Sequence, residues 1–416
     1  MLTELFESGG VRILTLRSGP HGVLLEGFAQ ALGRSGYAPI TACRHLRAAE
    51  HFVRWGARAG VAITDPAAPG LKRFSRHLQR PGRCRFGHTF RLQILHGVRL
   101  FLTHLQDAHV IERPADEDVR ATPQVITDFR QWMRLQRGTC ASTVSNYEVH
   151  LRAWLAQHGE EPSGWDARRL REFILEGSRT CGWAAAKKRT TALRVFLRFL
   201  IAEGRCASGL VGAIPILAHW RLSSLPRYLA ADDVERVIGA CDVGCAVGRR
   251  DRAILLLLAR LGLRAGDIVH LRLGDLDWQA AWIRVSGKGR RETRLPLTQE
   301  VGDALVTYVT GDRPEADTDA VFLRSRAPFR AFRSHCAVSV IVDRALARAG
   351  VIRPSRGAAH LLRHSAATAM LRHGASLQEV AALLRHRSVT TTEIYAKVDV
   401  TMLRTVAQPW PEVPSC

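Results

Sequence analysis

The hydrophobic pattern of the chain changes once along its length, and this change limits the fold more than any other feature of the sequence. Up to about residue 205 the apolar residues recur with helical spacing. Beyond a strongly apolar helix predicted over Arg252–Leu261, the segments Trp278–Val285 and Thr293–Leu297 mix apolar with polar residues, as half-buried strands do. Helical patterns return from about Ser334. We therefore predict a mainly α protein with a small antiparallel β-sheet in its C-terminal domain.

Between the two predicted strands lies a short basic turn, residues 286–291, which reads Ser-Gly-Lys-Gly-Arg-Arg. Glycines that flank a polar residue between two strand patterns are typical of a β-hairpin. The sequence therefore predicts a hairpin whose tip carries Lys288. The frame of a phosphate-binding loop, with Gly-Lys-Ser/Thr after an earlier glycine, is missing here.

At 416 residues the chain is long enough for two or three domains. We predict helical domains at 1–115 and 120–205, the second opening at Thr122-Pro123, where proline suits a first helical turn. Small residues, two prolines and no acidic residue at 207–226 indicate a linker, placed at 206–224. The last domain is predicted at 225–416, with an acidic first helical turn at Asp232 and Asp233.

The first two regions resemble each other. Val98–Leu102 matches Leu193–Leu197 in character at every position, and upstream Thr41–Trp55 and Thr143–Trp154 both have helical patterns with aromatic residues and interleaved arginines. Our interpretation is that the two regions are diverged copies of one unit. The alternative is chance similarity between amphipathic helices.

The net charge points to a polyanionic partner. The chain has 60 Lys and Arg residues against 38 Asp and Glu residues, a formal charge of +22. Such an excess favours binding to phosphates, because neutralising them releases condensed counterions. A genome rich in G and C would explain the preference for arginine over lysine, but not the excess of bases over acids. Nucleic acid is favoured over an anionic membrane because no basic amphipathic anchor is present.

We expect a cytoplasmic protein without a membrane span. The longest apolar run, Ala253–Ala259, is far below the roughly 18 residues that a span requires. The first ten residues carry acidic side chains where a secretory signal would carry basic ones.

No metal and no cofactor are expected from the cysteines. Their number is nine, they are scattered, and none forms a Cys-x-x-Cys pair. Cys241 and Cys245 lie four residues apart on a predicted helix, without a second pair at zinc-binding spacing. We expect free thiols.

The C-terminal region concentrates basic side chains and one tyrosine in an order that suits phosphodiester chemistry. The candidate catalytic residues are Arg264, Lys288, His360, Arg363, His386 and Tyr395.

The chemistry of phosphodiester cleavage explains why each of these residue types is needed. In-line attack on a phosphodiester builds negative charge on the non-bridging oxygens, which the guanidiniums of Arg264 and Arg363 can clamp at any working pH. A mobile lysine on a hairpin tip, here Lys288, can protonate the departing sugar oxygen. The hydroxyl of Tyr395 can attack phosphorus and store the bond energy as a phosphotyrosine ester. That intermediate needs neither metal nor ATP to reseal.

The histidines suit two further roles. His360 and His386 can hydrogen-bond the phosphate or accept the proton of the nucleophile. His360 and His364 have a helical spacing that could suit a metal, but no nearby acidic or cysteine partner completes a ligand set. We expect His364 to be a packing residue.

These strings resemble the signature of the tyrosine recombinase (phage-type integrase) family, which is Arg, Lys, His-x-x-Arg, His and Tyr. Residues 262–268 are similar to the Gly-Leu-Arg-x-x-Glu/Asp-Ile string of the family, and residues 360–364 to its His-x-Leu-Arg-His box. Lys288 stands in Gly-Lys-Gly-Arg before a strand ending in Leu-Pro-Leu, and Tyr395 follows His386 at the family distance. The resemblance covers about residues 225–400 well.

The resemblance implies a metal-independent DNA strand-exchange enzyme acting on double-stranded DNA. It implies that Asp267 supports the active site and that residues 120–205 form a helical core-binding domain. Residues 1–115 have no assigned counterpart in the family, and their similarity to 120–205 makes them a candidate for a second such unit. It also implies four subunits in the complex that recombines two duplexes. Accessory or sister recombinases are candidates for further partners, and the sequence does not encode whether they are required. The apolar positions after Tyr395, among them Leu403, suit docking on a neighbouring subunit or packing on their own.

One position departs from the family pattern. Arg385 precedes His386, where the family often has glycine. An arginine at this position could add a phosphate contact or tilt His386.

Two other functions remain open at this point. A type IB topoisomerase shares the chemistry and relaxes DNA without exchanging partners. A DNA-binding regulator that has lost catalysis would show erosion of the basic set or of the tyrosine, and none is eroded here. The target sequence, the half-site spacing and the choice between integration, excision, inversion, resolution and transposition are not encoded in these patterns.

Overall fold

The computed structural model describes residues 14, 16–62, 70–79, 91–112, 122–217, 225–286, 292–354, 357–386, 388–398 and 403–404. The chain divides into two compact units. One unit combines Met1–Arg113 with Leu222–Cys416, and the other is Pro114–Arg221.

The N-terminal part of the first unit is helical. Its helices are α1 (Gly22–Arg34), α2 (Pro39–Ala59), α3 (Gly70–His77) and α4 (Arg91–Asp107). Pro39 starts α2, where a missing N–H costs nothing, and Gly60 ends it with a left-handed φ of 61°. The core between these helices is built on four buried phenylalanines, namely Phe28, Phe52, Phe74 and Phe101.

The second unit is also helical. Its helices are α5 (Gln124–Leu135), α6 (Ala141–His158), α7 (Ala167–Cys181), α8 (Trp183–Ala202) and α9 (Gly209–Gly212). Buried aromatic rings fill its core, with Phe129 and Phe196 in edge-to-face contact at 5.4 Å between ring centroids. Within the segment predicted as a linker, α9 forms and Ile214 packs against this core.

The matched strings of the two N-terminal regions occupy comparable places. Val98–Leu102 lies on α4, which packs against α2, and Leu193–Leu197 lies on α8, which packs against α6. Phe101 and Phe196 are both fully buried. The duplication stays a prediction, to which this equivalence of packing adds support.

The C-terminal part of the first unit has its own core around a central apolar helix. Its helices are α10 (Ala231–Gly239), α11 (Ala246–Ala259), α12 (Ala265–His270), α13 (Gln299–Val306), α14 (Cys336–Arg348), α15 (Ala358–Arg372), α16 (Leu377–Leu383) and α17 (Glu393–Ala396). Every residue from Ala253 to Leu258 is fully buried, as expected for a helix that is apolar on all sides. Helix α11 packs against α10, α13 and α15.

A small antiparallel sheet accompanies these helices, and the predicted fold class, mainly α with one such sheet, is confirmed. Its strands, in the order β1 (Leu276–Asp277), β2 (Trp282–Ser286) and β3 (Glu292–Pro296), pair with Ile283 opposite both Leu276 and Leu295. Short 3₁₀ helices lie at Pro162–Gly164, Leu273–Asp275 and Val389–Thr391, and a π-helix lies at Thr307–Asp312.

The prediction of one strand over Trp278–Val285 was wrong at its start. Asp277 accepts a hydrogen bond from the amide of Ala280 at 2.9 Å, and Ala281 takes a left-handed φ of 53°. These features turn the chain back, so that residues 278–281 connect β1 to β2. Residues 287–291, the predicted hairpin tip with Lys288, lie outside the described residues.

The prediction that Cys241 and Cys245 share a helix was also wrong. Cys241 follows the end of α10, and Cys245 is the N-cap of α11, where its sulfur accepts a hydrogen bond from the amide of Gly248. In the described part of the chain no three His, Cys, Asp or Glu residues are grouped to hold a metal ion. No helix there has the length and apolar character to cross a membrane.

We predict that truncating Phe196 destabilises the second unit strongly. Phe196 is fully buried and touches Phe129 and Phe199, so Phe196→Ala should cost about 3–5 kcal/mol of unfolding free energy. Denaturant unfolding of the whole chain, followed by tryptophan fluorescence, measures this change. Val149→Ala, on an exposed face of α6, is the control and should change stability by no more than about 0.5 kcal/mol. A similar small loss in both variants would contradict the assigned core.

Candidate active site

Helix α15 carries the His-x-x-Arg-His box. Arg363 and His364 follow His360 by three and four residues, and this spacing places all three on one face of the helix. The helix starts after Gly357, whose φ of 89° is left-handed, and His360 lies in its first turn. The rings of His360 and His364 meet at 5.0 Å and nearly at right angles.

Two guanidiniums converge on the carbonyls at the C-terminal end of α16. Nη2 of Arg264 donates to the carbonyl of Leu384 at 3.3 Å and to that of Arg385 at 3.2 Å. Arg363 donates through Nη2 to the carbonyl of Leu384 and through Nη1 to that of Gly262. The last carbonyls of a helix lack partners within it and carry the negative end of its dipole, so they orient cations well.

Both guanidiniums stay charged although they are crowded. Burial lowers the pKa of Arg363 to about 10, and the nearby charges of Arg264 and Arg385 act in the same direction. Burial also lowers the pKa of Arg264, against the opposing effect of Asp267. Arg363 is 2 % exposed. A nearly buried cation beside two others is the environment that an anion stabilises most.

Asp267 lies behind this pair of arginines. Its Oδ2 accepts the amide N–H of Arg264 at 2.8 Å and forms an ion pair with the guanidinium of Arg385. The carboxylate therefore fixes the backbone of Arg264 at the start of α12, and it supports the site through Arg385.

Tyr395 lies on α17 and is 2 % exposed. Its hydroxyl is 2.7 Å from Nδ1 of His364, and the two rings are 5.4 Å apart. Burial raises the pKa of Tyr395 to about 12, although the charge of Arg363 opposes this. Burial, followed by the charges of His360 and Arg363, lowers the pKa of His364 to about 4. At neutral pH both groups are uncharged, so the hydroxyl can donate to Nδ1 and the tyrosine keeps its proton at rest.

His364 is the residue that sequence reasoning missed. It was expected only to pack, yet it touches the hydroxyl of Tyr395. Its position one turn after His360 was a usable signal, because the two histidines share one face of α15. The partner 31 residues away was not visible from the pattern.

His386 is held by a threonine on the approach to α17. Its Nδ1 lies 2.7 Å from the hydroxyl of Thr392, which is fully buried. Burial lowers the pKa of His386 to about 4, and the charges of Arg363 and Arg264 act in the same direction. The pKa of His360 is lowered by desolvation first and then by the same two arginines. Both histidines therefore lie within electrostatic reach of the guanidinium pair.

The structure thus brings the predicted site residues together, with one exception. Lys288 falls outside the described residues, and only the flanking strands β2 and β3 are placed. The residues that share the site are Arg264, Asp267, His360, Arg363, His386 and Tyr395.

Comparison with known sequences identifies the family of the chain. The profile of the Phage integrase family matches residues 227–402, and that of its N-terminal SAM-like domain matches residues 126–204. The integrase/recombinase y4rA of Sinorhizobium fredii is 37% identical over 398 residues, which cover 94% of this chain and 95% of the relative. The chain belongs to the phage integrase family of tyrosine recombinases.

Other members of the family are more distant. The tyrosine recombinase XerD of Lacticaseibacillus casei is 29% identical over 65% of this chain and 92% of the relative. Among solved structures, the site-specific recombinase XerH in a post-cleavage complex shares 18% identity and a TM-score of 0.55, over 84% of this chain and 98% of that one. The structural likeness supports the same recombinase fold.

We predict that His364 and His386 remain neutral well below the ordinary histidine pKa of 6.5, since the pKa of each is lowered to about 4. Between pH 6.5 and about 4 the unfolded chain then binds protons that the folded chain does not, so folding stability falls as the pH falls through this window. NMR of histidine-labelled protein measures the titration, and His364→Gln and His386→Gln assign the two signals. Midpoints near 6.5 for both signals would contradict the site electrostatics.

Proposed function

We propose that this recombinase cuts and rejoins double-stranded DNA at specific sites, with Tyr395 forming a 3′-phosphotyrosine link. Site-specific tyrosine recombination is the activity of the chain, as its family and its relatives indicate. The observation that carries the residue assignment is the meeting of two guanidiniums on the carbonyl of Leu384, a residue that lies in one packing cluster with Tyr395.

Arg264 and Arg363 would hold the non-bridging oxygens of the scissile phosphate. Their unused N–H groups can donate to these oxygens, and the charge that develops during attack makes such bonds stronger in the transition state. His386 would donate a further hydrogen bond from Nε2, because Nδ1 is engaged by Thr392. In this role His386 acts as a neutral donor, in keeping with its lowered pKa.

Tyr395 would attack after passing its proton to a neighbouring histidine. In the resting arrangement the pKa values, about 12 for Tyr395 and about 4 for His364, oppose this transfer strongly. We infer that the tyrosine moves toward the guanidiniums when DNA binds, since nearby cations favour the phenolate. His364 takes the proton first, and His360, in ring contact with it, assists the transfer.

The chemical balance of the step is simple. The oxygen of Tyr395 forms a bond to phosphorus as the bond from phosphorus to the 5′-oxygen breaks, and Lys288 would supply the proton that leaves a free 5′-hydroxyl. A 5′-hydroxyl of the partner duplex then attacks the phosphotyrosine, which restores the phosphodiester and frees the tyrosine. The reaction requires no metal, no cofactor and no ATP.

DNA contact would extend beyond the active site. Lys187, Arg194 and Arg198 lie within about 40° of one another around α8, a helix without acidic residues. On α2, Arg44, Arg47 and Arg58 form a comparable basic stripe. Such stripes suit phosphate contacts, which position a duplex without reading its sequence. Solved relatives of the same fold, λ integrase and XerH, were crystallised with DNA.

We propose three domains around the duplex. They are an additional N-terminal helical domain at 1–115, a core-binding domain at 120–205 and a catalytic domain at 225–416, with the linker at 206–224. A tetramer on two DNA duplexes would carry out the exchange, with accessory or sister recombinases as further partners. We infer a cytoplasmic enzyme that serves a mobile element, in line with the integrase names of its relatives.

Tyr395→Phe should abolish covalent attachment to DNA and leave DNA affinity within about twofold. The variant removes the nucleophilic oxygen and one hydrogen bond, whose loss costs only about 1 kcal/mol. The test incubates wild type and variant with nicked duplexes from DNA flanking the gene, without metal, and compares the products on a denaturing gel. Equal loss of affinity and attachment would identify Tyr395 as a packing residue. Relaxation of supercoiled DNA without strand exchange would favour the topoisomerase alternative, and binding without any band a regulator.

Lys288→Ala should slow cleavage of natural DNA by about 10²–10⁴-fold, the usual contribution of a general acid. A substrate with sulfur at the bridging 5′ position has a leaving group that needs no proton, so it should restore the rate of the variant. Single-turnover cleavage of both substrates measures the rescue. Arg284→Ala, on β2 with its side chain paired to Asp275, is the control and should show no difference between the substrates. Absence of rescue would remove Lys288 as the acid.

A further inference from the structure

The guanidinium of Arg385 is buried and only partly bonded. Its side chain is 6 % exposed, and Nη2 forms the ion pair with Asp267. Its Nε and Nη1 are buried and have no hydrogen-bond partner among the described residues. Buried donors without a partner are rare in folded proteins, because each loses its bonds to water and gains nothing in return. These N–H groups therefore indicate a missing acceptor.

Arg385 belongs to the same cluster as the two arginines of the family signature. Its own carbonyl accepts the Nη2 N–H of Arg264 at 3.2 Å, and the preceding carbonyl accepts from both Arg264 and Arg363. The charge of Arg385 lowers the pKa of both other arginines. Three guanidinium cations thus lie near a single carboxylate, that of Asp267. A bound anion would stabilise this excess of positive charge.

The backbone gives no reason of its own for an arginine at this position. Arg385 has a φ of 53°, in the left-handed region that glycine occupies without steric cost. A glycine would relieve the backbone but would leave Asp267 buried without its cation. The side chain must therefore act through its charge and its donors.

We propose that Arg385 is a third phosphate-binding guanidinium of this active site, donating from Nε or Nη1 to the scissile phosphate while Asp267 holds Nη2. This inference rests on the proposed function, and it adds a ligand for the DNA phosphate at the position before His386. The competing explanation is that Arg385 only neutralises Asp267 and never touches DNA.

The test compares single-turnover cleavage of two nicked duplexes that differ in one substituent of the scissile phosphorus. The first has a natural scissile phosphate, and in the second a methylphosphonate replaces one charged non-bridging oxygen by an uncharged methyl group. Arg385→Gly should slow cleavage of the natural phosphate by about 10²-fold, as the loss of one transition-state donor does. On the methylphosphonate the same variant should be slowed by less than about threefold, because the charge that it would stabilise is already gone.

Two further variants separate the explanations. Ala281→Gly replaces another left-handed residue, φ 53°, in the turn before β2, and it should leave the rate on both duplexes unchanged. Asp267→Asn combined with Arg385→Gly removes the buried acid together with its partner. If Arg385 only neutralises Asp267, this double variant regains the natural-phosphate rate, which would overturn the proposal. A defect of equal size on both duplexes would overturn it as well.

A second measurement does not depend on a target site. In ¹⁵N-labelled Tyr395→Phe protein, the Nε–H signal of Arg385, assigned by its loss in Arg385→Lys, should shift as inorganic phosphate is added. An unchanged signal would contradict the proposal. The covalent protein–DNA band of the wild type on a denaturing gel tests the recombinase function separately. Failure of the Arg385 proposal can therefore be distinguished from failure of the proposed function.

Discussion

The active site depends on one backbone carbonyl. The oxygen of Leu384, just past the end of α16, accepts hydrogen bonds from both Arg264 and Arg363, which reach it from 120 and 21 residues away in the chain. Helix α16 is fixed at its other end by a capping box between Ser376 and Glu379. Gly262 allows the close approach, because a Cβ there would lie 2.7 Å from the Leu384 side chain. Any shift of α16 would therefore move both guanidiniums together.

Burial and the crowding of the arginines leave the guanidiniums charged and the neighbouring histidines neutral. Arg363 remains cationic even with its pKa lowered to about 10, whereas His364 and His386, with pKa values of about 4, are neutral. A neutral histidine can accept a proton or donate a hydrogen bond without adding to the repulsion. Tyr395 keeps its proton in this arrangement, so the proposed nucleophile would be inactive at rest. A bound phosphate would relieve the repulsion among the arginines and thereby favour assembly of the site.

Local patterns predicted much of this arrangement, and the remainder depends on contacts between distant segments. The fold class, the hairpin and the box on α15 follow from periodicity and short strings, since these report local structure. The start of β2 at Trp282 depends on a hydrogen bond from Ala280 to Asp277, which periodicity does not report. The contact of His364 with Tyr395 spans 31 residues, and that of Arg385 with Asp267 spans 118, so neither could be read from spacing.

Leu384 also connects Tyr395, the proposed nucleophile, to Arg264 and Arg363. Its side chain packs with Tyr395, Leu371 and Val380 in a small cluster that is distinct from the main core around α11. Its carbonyl, on the same residue, holds Arg264 and Arg363. Movement of the tyrosine out of this cluster can therefore leave the main core intact while the packing around Leu384 changes. By this route the position of Tyr395, the proposed nucleophile, would be coupled to the orientation of the guanidiniums through Leu384.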